Sequence, residues 1–473
     1  MTSLPLVEEL PGPIEPEEWF ARLARRPHCL FLDSALKHPV LGRYSFLAAD
    51  PFEYLEPSAG EADGLARLAG RMAEFRAATV PGLPPFQGGA AGLLGYELGR
   101  QLEVLPSPAF DEFQVSALAI GLYDVVIAVD HQEHRAWIVS QGFPETSPPA
   151  RLRRAGDRLE EVLLWLSGPA EGSAGATGCW PARTGKPAVV PLGPRHRVGP
   201  MEGLSSNFSE AEYLGAVERV LEYIRAGDVF QVNLAQRLLF PAREDSVPLY
   251  LRLRRRNPAP FAGYFDLGEF QIASASPERF LKVAGGSVEA RPIKGTRPRT
   301  GQPEADRQAG RELAGSEKDR AENVMIVDLL RNDLSRVCEP QSVRVSQLCG
   351  LETYQYVQHL VSAVCGQLRP GCTPIDLLRA SFPGGSVTGA PKIRAMEIIA
   401  ELEPCARGPY CGSLGYLGFD GSMDLSILIR TITAGRGWWQ APVGGGIVVQ
   451  SDPRREYQET WDKAEGLLRA IEP

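Results

Sequence analysis

A Gly- and Pro-rich stretch, Ser167–Pro200, is the feature that most limits how this chain of 473 residues can fold. It begins Ser-Gly-Pro-Ala-Glu-Gly-Ser-Ala-Gly-Ala-Thr-Gly and ends Gly-Pro, a composition that sustains neither a helix nor a strand. We therefore predict an N-terminal region over residues 1–166, a linker or long surface loop over 167–204, and a C-terminal region over 205–473.

The composition predicts a folded chain that acts on small molecules. Hydrophobic residues make up 44% and charged residues 23%, as in ordinary globular proteins. The formal net charge of −8 argues against nucleic acid as the main partner. No segment approaches the roughly 18 apolar residues of a membrane span, and the N-terminus does not resemble a signal peptide. We therefore expect a cytoplasmic protein without membrane contact. The cysteines form no Cys-x-x-Cys pair, which argues against a zinc site.

Helical and strand-like patterns alternate along the C-terminal region and predict a mixed α and β fold. A capping box at Ser209–Glu212 begins a helix that ends near Gly227. Alternating apolar residues after Val229 predict a strand whose polar face carries Gln231 and Asn233. The other predicted strands are Phe270–Ser274, Ile427–Thr433 and Ile447–Gln450, and the other predicted helices are Glu317–Arg331, Pro374–Ala380, Pro391–Leu402 and Arg455–Ile471.

Two of these helices carry acidic pairs beside apolar residues. Glu456, Glu459 and Lys463 follow i, i+3, i+7 spacing, which places them within about 60° of one another on a helix. Asp319 and Glu322 are spaced i, i+3 on the other helix. If the two pairs converge, they offer the carboxylate oxygens that Mg²⁺ prefers. A solvated charged face is the alternative for each helix.

Two Gly-rich segments, Phe382–Lys392 and Val443–Ile447, predict loops whose backbone N–H groups bind an anion. Neither matches a nucleotide-binding motif, so we expect a carboxylate; two tight turns are the alternative.

Three further features leave alternatives open. His359 is the one histidine beyond the linker and is either a core residue or part of a site. Lys294 ends a predicted strand and is either solvated or, if buried, a nucleophile. The arginine-rich run 252–256 predicts a solvated helix face or a basic patch for an acidic partner.

Together these segments resemble the chorismate-utilising enzymes, the family that includes the large subunits of anthranilate synthase and aminodeoxychorismate synthase and the isochorismate and salicylate synthases. The resemblance covers nearly all of 205–473, the predicted catalytic region, and more loosely 1–166. The matching segments are Gly227–Leu234, Ser274–Glu278, Pro292–Thr296, Asp319–Asp333, Gln358–Ser362, Pro383–Lys392, Ile429–Thr431, Gly444–Gly446 and Glu456–Lys463, with Phe31–Ser34, Gly42–Ser45 and Phe86–Gly89 in the N-terminal region.

Two positions distinguish the reactions of this family. Isochorismate and salicylate synthases have a water-activating lysine at the position of Gln231, so the resemblance implies a nucleophile other than water. Anthranilate synthases have alanine at the position of Lys294, whereas aminodeoxychorismate synthases have lysine. The resemblance therefore implies the large component of an aminodeoxychorismate synthase, an aminotransferase of para-aminobenzoate and folate biosynthesis. An anthranilate synthase of tryptophan biosynthesis is the alternative, and a non-catalytic amino-acid sensor is disfavoured by the complete acidic set.

The resemblance also implies the fold and the reaction. The fold is α+β, a four-layer α/β/β/α arrangement of two antiparallel sheets packed orthogonally, in which the N-terminal and C-terminal regions interleave. Chorismate exchanges its C4 hydroxyl for ammonia, which a separate glutaminase subunit, component II, releases from glutamine. No cysteine of this chain lies in the Gly-x-Cys-x-Gly motif of that partner.

The implied roles fall into three groups. The catalytic residues are Lys294 as covalent nucleophile, Glu278 as general acid and His359 as an orienting group. Mg²⁺ is bound directly by Glu322 and Glu459 and through water by Asp319 and Glu456. The substrate is bound by Thr296, Ser386, Tyr410, Arg430, Gly444, Gly445, Gly446 and Lys463.

The N-terminal segment Leu32–Ser34 resembles the Leu-Glu-Ser element with which anthranilate synthases bind tryptophan. Asp33 replaces the glutamate of that element. We therefore expect no strong inhibition by tryptophan.

Overall fold

The computed structural model describes residues 5–36, 41–57, 63–168, 191–199, 201–354 and 357–472. Within these ranges the chain forms 23 strands and 11 α-helices, numbered in chain order. The strands are β1 (Leu6–Glu9), β2 (Leu30–Asp33), β3 (Tyr44–Ala48), β4 (Glu53–Leu55), β5 (Gly89–Leu94), β6 (Leu118–Tyr123), β7 (Val125–Asp130), β8 (Arg135–Ser140), β9 (His196–Arg197), β10 (Ser205–Ser206), β11 (Gln231–Pro241), β12 (Phe261–Asp266), β13 (Phe270–Ser276), β14 (Arg279–Ala284), β15 (Ser287–Arg291), β16 (Ile293–Pro298), β17 (Arg344–Thr353), β18 (Val357–Gln367), β19 (Gly389–Ala390), β20 (Ser413–Gly418), β21 (Met423–Ile427), β22 (Thr431–Gly435) and β23 (Trp438–Ile447). The helices are α1 (Pro16–Leu23), α2 (Gly64–Glu74), α3 (Gly99–Leu102), α4 (Pro148–Ser167), α5 (Glu210–Ala226), α6 (Ser246–Arg256), α7 (Pro303–Gly315), α8 (Glu317–Ser335), α9 (Pro374–Ser381), α10 (Lys392–Leu402) and α11 (Pro453–Ile471).

The strands form two large sheets. The first has 13 strands in the order β1-β8-β7-β3-β2-β12-β13-β22-β23-β11-β10-β9, with β19 paired to β11. The second has ten strands in the order β16-β18-β15-β14-β21-β20-β5-β6-β4, with β17 paired to β18. Neighbouring strands are antiparallel. The predicted α+β class with two antiparallel sheets is confirmed.

Each sheet takes strands from both sides of the predicted linker. In the first sheet β2 pairs with β12, and in the second β5 pairs with β20. Residues 169–190 and Pro200, which make up most of the linker, lie outside the described residues. The expectation that this stretch holds no strand is wrong at its described end. There β9 pairs with β10, because the backbone of Ser205–Ser206 offers a free edge.

Three layers of apolar packing hold the sheets and helices together. Between the sheets, Phe46 and Phe265 of the first sheet lie in one buried cluster with Leu414 and Tyr416 of the second. Helices α1, α4, α6, α10 and α11 pack with the first sheet, α10 against β11 and β19, and α2, α8 and α9 pack with the second. None of the helices in the described ranges is long and apolar enough to cross a membrane.

Helix predictions hold to within a few residues. The Ser209–Glu212 capping box is present at the start of α5, and Gly227 ends that helix in the left-handed conformation, with φ 85°. The solvated face predicted for the arginine run of α6 is wrong for Arg254. Its guanidinium pairs with Asp33 and its side chain is only 13% exposed, because α6 packs over β2.

Strand predictions near the C-terminus need two corrections. The predicted strand Ile427–Thr433 is two strands, since Arg430 between them has φ 52°, a left-handed conformation that a strand does not contain. The strand predicted at Ile447–Gln450 is wrong, because β23 ends at Ile447.

The Gly-rich segment Val443–Ile447 is the last part of β23 rather than the predicted loop. It pairs with β11 in register, with Gly444 opposite Ala235 and Gly446 opposite Asn233. A Cβ atom on Gly444 would lie 2.5 Å from the Leu234 carbonyl oxygen, so only glycine allows the strands to approach so closely.

Candidate functional site

Helix α11 brings three of the predicted polar side chains over β23. The side chain of Asp452 caps this helix by accepting a hydrogen bond from the Arg455 N–H. One, two and three turns further on, the helix faces Gly445. A Cβ atom on that glycine would lie 3.4 Å from Lys463 Nζ and 3.5 Å from both Glu456 Oε2 and Glu459 Oε1. The absence of a side chain at Gly445 therefore leaves room for these three groups.

Helix α8 meets α11 through its own charged residues. The Ser316 side chain caps α8 by accepting a hydrogen bond from the Asp319 N–H. One residue earlier, the ammonium of Lys318 lies 3.2 Å from Glu456 Oε1 of α11 and 4.0 Å from Glu322 Oε1 of its own helix. The two predicted acidic pairs thus lie close to each other, with Lys318 between them. They are separated by ammonium groups, and the described part of the chain contains no group of three acidic, histidine or cysteine side chains arranged to hold a metal ion.

Strand β16 supplies the predicted nucleophile and lies beside α8. The Lys294 amine donates a hydrogen bond to the Ser386 carbonyl at 3.1 Å. Three residues further along β16, Arg297 lies 3.6 Å from Asp319 of α8. The side chain of Asp319 also packs under Gly295, where a Cβ atom would lie 3.0 Å from its carboxyl carbon. The strand that carries Lys294 therefore packs directly against Asp319 of the acidic cluster.

Glu278 lies behind Lys294 and is only 4% exposed. Burial raises the pKa of its carboxyl to about 7, although a hydrogen bond from the Ser386 side chain and the charge of Lys294 oppose the shift. At neutral pH a substantial fraction of this carboxyl carries a proton. The group is therefore suited to give a proton to a leaving oxygen.

His359 of β18 stands opposite Thr296 of β16 in the sheet register. Its Nδ1 lies 2.9 Å from the Thr296 hydroxyl oxygen. Burial, followed by the positive charge of Arg430, lowers the pKa of the imidazole to about 4. His359 is therefore neutral at physiological pH and can exchange a hydrogen bond without adding charge.

Arg430 lies between β21 and β22 and is enclosed by protein on most sides. Burial lowers the pKa of its guanidinium, while the nearby Tyr410 and Glu459 side chains favour the charged form. Its one hydrogen bond to the described residues is a long contact, 3.4 Å, to the Lys463 carbonyl. None of the acidic side chains in the described ranges forms an ion pair with Arg430. An enclosed cation without a counter-ion marks a place for an anionic ligand.

The edge of β23 near Arg430 is open. Strand β22 pairs with β23 only between Thr433–Gly435 and Trp438–Gln440, so the strands separate toward Gly444. Lys463 donates a hydrogen bond to the Gly444 carbonyl at 2.8 Å and pairs with Glu459 at 2.6 Å. Lys463 therefore connects the Gly444 backbone to the Arg430 guanidinium, which contacts the Lys463 carbonyl.

Gln231 begins β11 and lies beside Gly446 of β23. Its side chain is fully buried, and within the described residues neither atom of its amide has a hydrogen-bond partner. A Cβ atom on Gly446 would lie 3.0 Å from Gln231 Nε2. Unpaired buried amides are costly in a folded protein, so this one is available to a small polar ligand.

Contacts and charge interactions therefore link the predicted residues into one region: Lys294 interacts with Ser386, Glu278 and Glu459, and Arg430 interacts with Tyr410, Glu459, His359 and Lys463. The prediction did not include Lys318 or Arg297, which pair with its carboxylates. Lys318 stands four residues before Glu322 on one helix, and this spacing was the signal that could have included it. The pairing with Glu456 depends on how two distant helices pack.

The sequence matches the family model of chorismate-binding enzymes over residues 28–469. The chain belongs to this family. Its relatives include aminodeoxychorismate synthase component 1 of Salmonella typhimurium, which is 40% identical over 100% of this chain and 99% of that protein. Anthranilate synthase component 1 of Thermus thermophilus is 44% identical over 83% of this chain and 79% of that protein.

A solved structure shows the same fold. Anthranilate synthase component I of Streptococcus pneumoniae superposes with a TM-score of 0.74 and 31% identity, over 91% of this chain and 93% of that one. The predicted family is confirmed, and relatives of both reaction types are present.

Proposed function

We propose that this chain is the chorismate-binding component of an aminodeoxychorismate synthase, which converts chorismate and ammonia to 4-amino-4-deoxychorismate. One observation carries the proposal: Lys294 stands beside the partly protonated Glu278 at the wall of a space that also holds a guanidinium without a counter-ion. The full-length relative from Salmonella typhimurium supports the same reaction.

Binding begins with the two carboxylates of chorismate. One carboxylate pairs with Arg430, close to Tyr410 and the open edge of β23 at Gly444–Gly446. This contact supplies the counter-ion that the guanidinium lacks. The ring carboxylate lies toward Lys463 and the acidic residues of α8 and α11.

The acidic residues of α8 and α11 fit Mg²⁺ in their chemistry. Glu322 and Glu459 would hold the ion, and Asp319 and Glu456 would hold its waters. Carboxylate oxygens and water are the ligands this cation prefers, and a cationic ammonium of Lys318 already lies among these side chains. When bound, Mg²⁺ would neutralise and orient the ring carboxylate.

The exchange at C4 proceeds through the amine of Lys294. The Lys294 ammonium first gives a proton to the ionised form of Glu278; the free amine then attacks C2, the conjugated ring double bonds shift, and the C4–O bond breaks. Glu278 gives its proton to the departing oxygen, which leaves as water. Ammonia then attacks C4, the double bonds shift back, the C2–N bond to Lys294 breaks, and the new C4 ammonium returns a proton to Glu278. Two displacements on one face return the original configuration at C4.

Ammonia comes from outside this chain. The relatives are named as component 1, which supports a second component, and we propose a glutaminase subunit as that partner. The unpaired amide of Gln231 is uncharged and lies at the same space, so it offers a hydrogen bond to ammonia instead of the base that would activate water.

Anthranilate synthase is the second candidate, favoured by the Thermus thermophilus relative. The products separate the two. The chain is incubated with chorismate, Mg²⁺ and an ammonium salt at alkaline pH, and the products are identified by mass spectrometry. We expect 4-amino-4-deoxychorismate without pyruvate, whereas anthranilate with pyruvate would establish the second candidate. If no product forms, the assay is repeated with a glutaminase subunit and glutamine.

A further inference from the structure

Lys318 is the one residue of the described acidic cluster whose cation touches carboxylates of both helices. It reaches from α8 to Glu456 Oε1 of α11 at 3.2 Å and lies 4.0 Å from Glu322 Oε1. Glu456 is 4% exposed and also accepts a hydrogen bond from the Ser451 hydroxyl at 2.6 Å. A buried carboxylate of this kind requires a nearby cation.

The other two ammonium groups at the site are fixed by backbone carbonyls. Lys463 donates to the Gly444 carbonyl at 2.8 Å, and Lys294 donates to the Ser386 carbonyl at 3.1 Å. Lys318 differs from both. Its contacts among the described residues are to carboxylates, and its side chain is 41% exposed, so its ammonium can move into water at little cost.

We propose that Lys318 is a tethered counter-cation that joins α8 to α11 in the metal-free protein and leaves when a divalent cation binds. This inference rests on the proposed function, because that function places Mg²⁺ among the same carboxylates. A hydrated divalent cation needs the oxygens of Glu322 and Glu456 that Lys318 now contacts. One of the two cations can occupy this position at a time.

Exchange has two measurable consequences. Displacement of Lys318 costs free energy and reduces the net free energy of metal binding, so the lysine weakens metal affinity. It also stabilises the metal-free protein, because without it two acidic helices face each other with one positive charge fewer. Removal of Lys318 should therefore tighten metal binding and lower the melting temperature of the metal-free chain.

The test is the variant Lys318→Met in the full chain, which keeps the length of the side chain and removes its charge. Free Mn²⁺ is titrated by electron paramagnetic resonance without chorismate, and melting is followed with and without Mg²⁺. We expect the Mn²⁺ Kd to fall at least about fivefold, a change of about 1 kcal/mol. We also expect a lower metal-free melting temperature that Mg²⁺ restores.

Arg297→Gln is the matched control, because it removes a positive charge from the same cluster without joining α8 to α11. We expect a smaller change in the Mn²⁺ Kd and no metal-reversible loss of stability. Equal effects in both variants would overturn the exchange and leave only a general charge effect. Lys318→Arg, which keeps the charge, should retain the wild-type Kd, and it provides the comparison if the Met variant fails to fold.

Failure of this inference is distinguishable from failure of the proposed function. Normal Mn²⁺ binding by the wild type, with an unchanged or weaker Kd in Lys318→Met, overturns the exchange alone. Absence of Mn²⁺ binding in all variants, with and without chorismate, overturns the exchange together with the metal in the proposed function. The product analysis is independent of both outcomes.

Discussion

The Lys294 amine donates its hydrogen bond to the main-chain carbonyl of Ser386, 3.1 Å away. The hydroxyl of the same serine hydrogen-bonds to Glu278. One residue thus holds the proposed nucleophile and the proposed acid side by side. The distance between the Lys294 amine and the Glu278 carboxyl is therefore set by the carbonyl and the side chain of Ser386.

Replacement of Lys294 by alanine tests covalent catalysis. We expect kcat to fall at least about 100-fold, a loss of about 3 kcal/mol of transition-state stabilisation. Chorismate should still bind, because Arg430 and the acidic cluster remain, and titration calorimetry should give a Kd within about threefold of the wild type. Lys282→Ala, on β14 outside the site, is the control. Undiminished turnover in Lys294→Ala would remove the covalent step.

Glu278→Gln tests the acid through both activity and stability. We expect kcat to fall by roughly 10²–10⁴-fold, the usual contribution of a positioned acid. The unfolded carboxyl ionises above pH 4.5, whereas the folded one keeps its proton up to about pH 7. The wild type therefore loses stability as pH rises through this window, by about 3 kcal/mol.

The same variant should be more stable than the wild type at pH 8 and nearly equal at pH 5. Chemical denaturation at the two pH values checks this. A variant that is less stable at pH 8 would show that burial does not dominate at Glu278.

His359 has the opposite dependence on pH. Its folded pKa of about 4 lies below the ordinary value of 6.5, so the unfolded chain takes up a proton first as pH falls. The wild type should lose about 2 kcal/mol of stability between pH 7 and pH 5 through this residue. His359→Gln should lose correspondingly less over the same interval. Parallel losses in the two proteins would show that the imidazole is protonated in the folded state.

Arg430→Gln should raise the KM for chorismate by about 10- to 100-fold, since a hydrogen bond to a charged group contributes about 1.5–3 kcal/mol. Initial rates over a range of chorismate concentrations give the value. Arg331→Gln on the exposed face of α8 is the matched control and should leave KM unchanged. Equal KM values in all three proteins would place the substrate carboxylate elsewhere.

Tryptophan should not inhibit strongly. Asp33 borders a cavity of about 380 Å³, but its carboxylate already accepts a hydrogen bond from Tyr250 at 3.1 Å and pairs with Arg254. The ammonium group of an amino acid would have to displace these partners. Initial rates with tryptophan up to about 1 mM test this, since that concentration detects even weak binding. An inhibition constant in the micromolar range would contradict the expectation.

The helices of the site could be predicted because their signals are local. The periodicity and spacing of Asp319, Glu322, Glu456 and Glu459 depend only on neighbours in sequence. The resemblance to chorismate-utilising enzymes then supplied the fold and the convergence of these residues, which periodicity alone does not give.

The corrections concern features that depend on tertiary structure. Gly444–Gly446 has little tendency to form a strand, and it is extended because β11 pairs with it along its length. Arg430 interrupts a β-rich run through a left-handed backbone conformation that arginine rarely adopts. Arg254 is largely shielded from solvent because β2, more than 200 residues earlier, supplies Asp33 as its partner.

The pairing of β5 with β20 has a consequence for synthesis of the chain. Gly92 and its partner Gly415 are separated by roughly 320 residues, which a ribosome adds in about 16–65 s at 5–20 residues per second. Throughout that interval the edge of β5 that pairs with β20 has no partner strand. The edge of β2 that pairs with β12 is unpaired in the same way until β12 is made. We therefore expect chaperones that bind nascent chains to bind the early strands of both sheets.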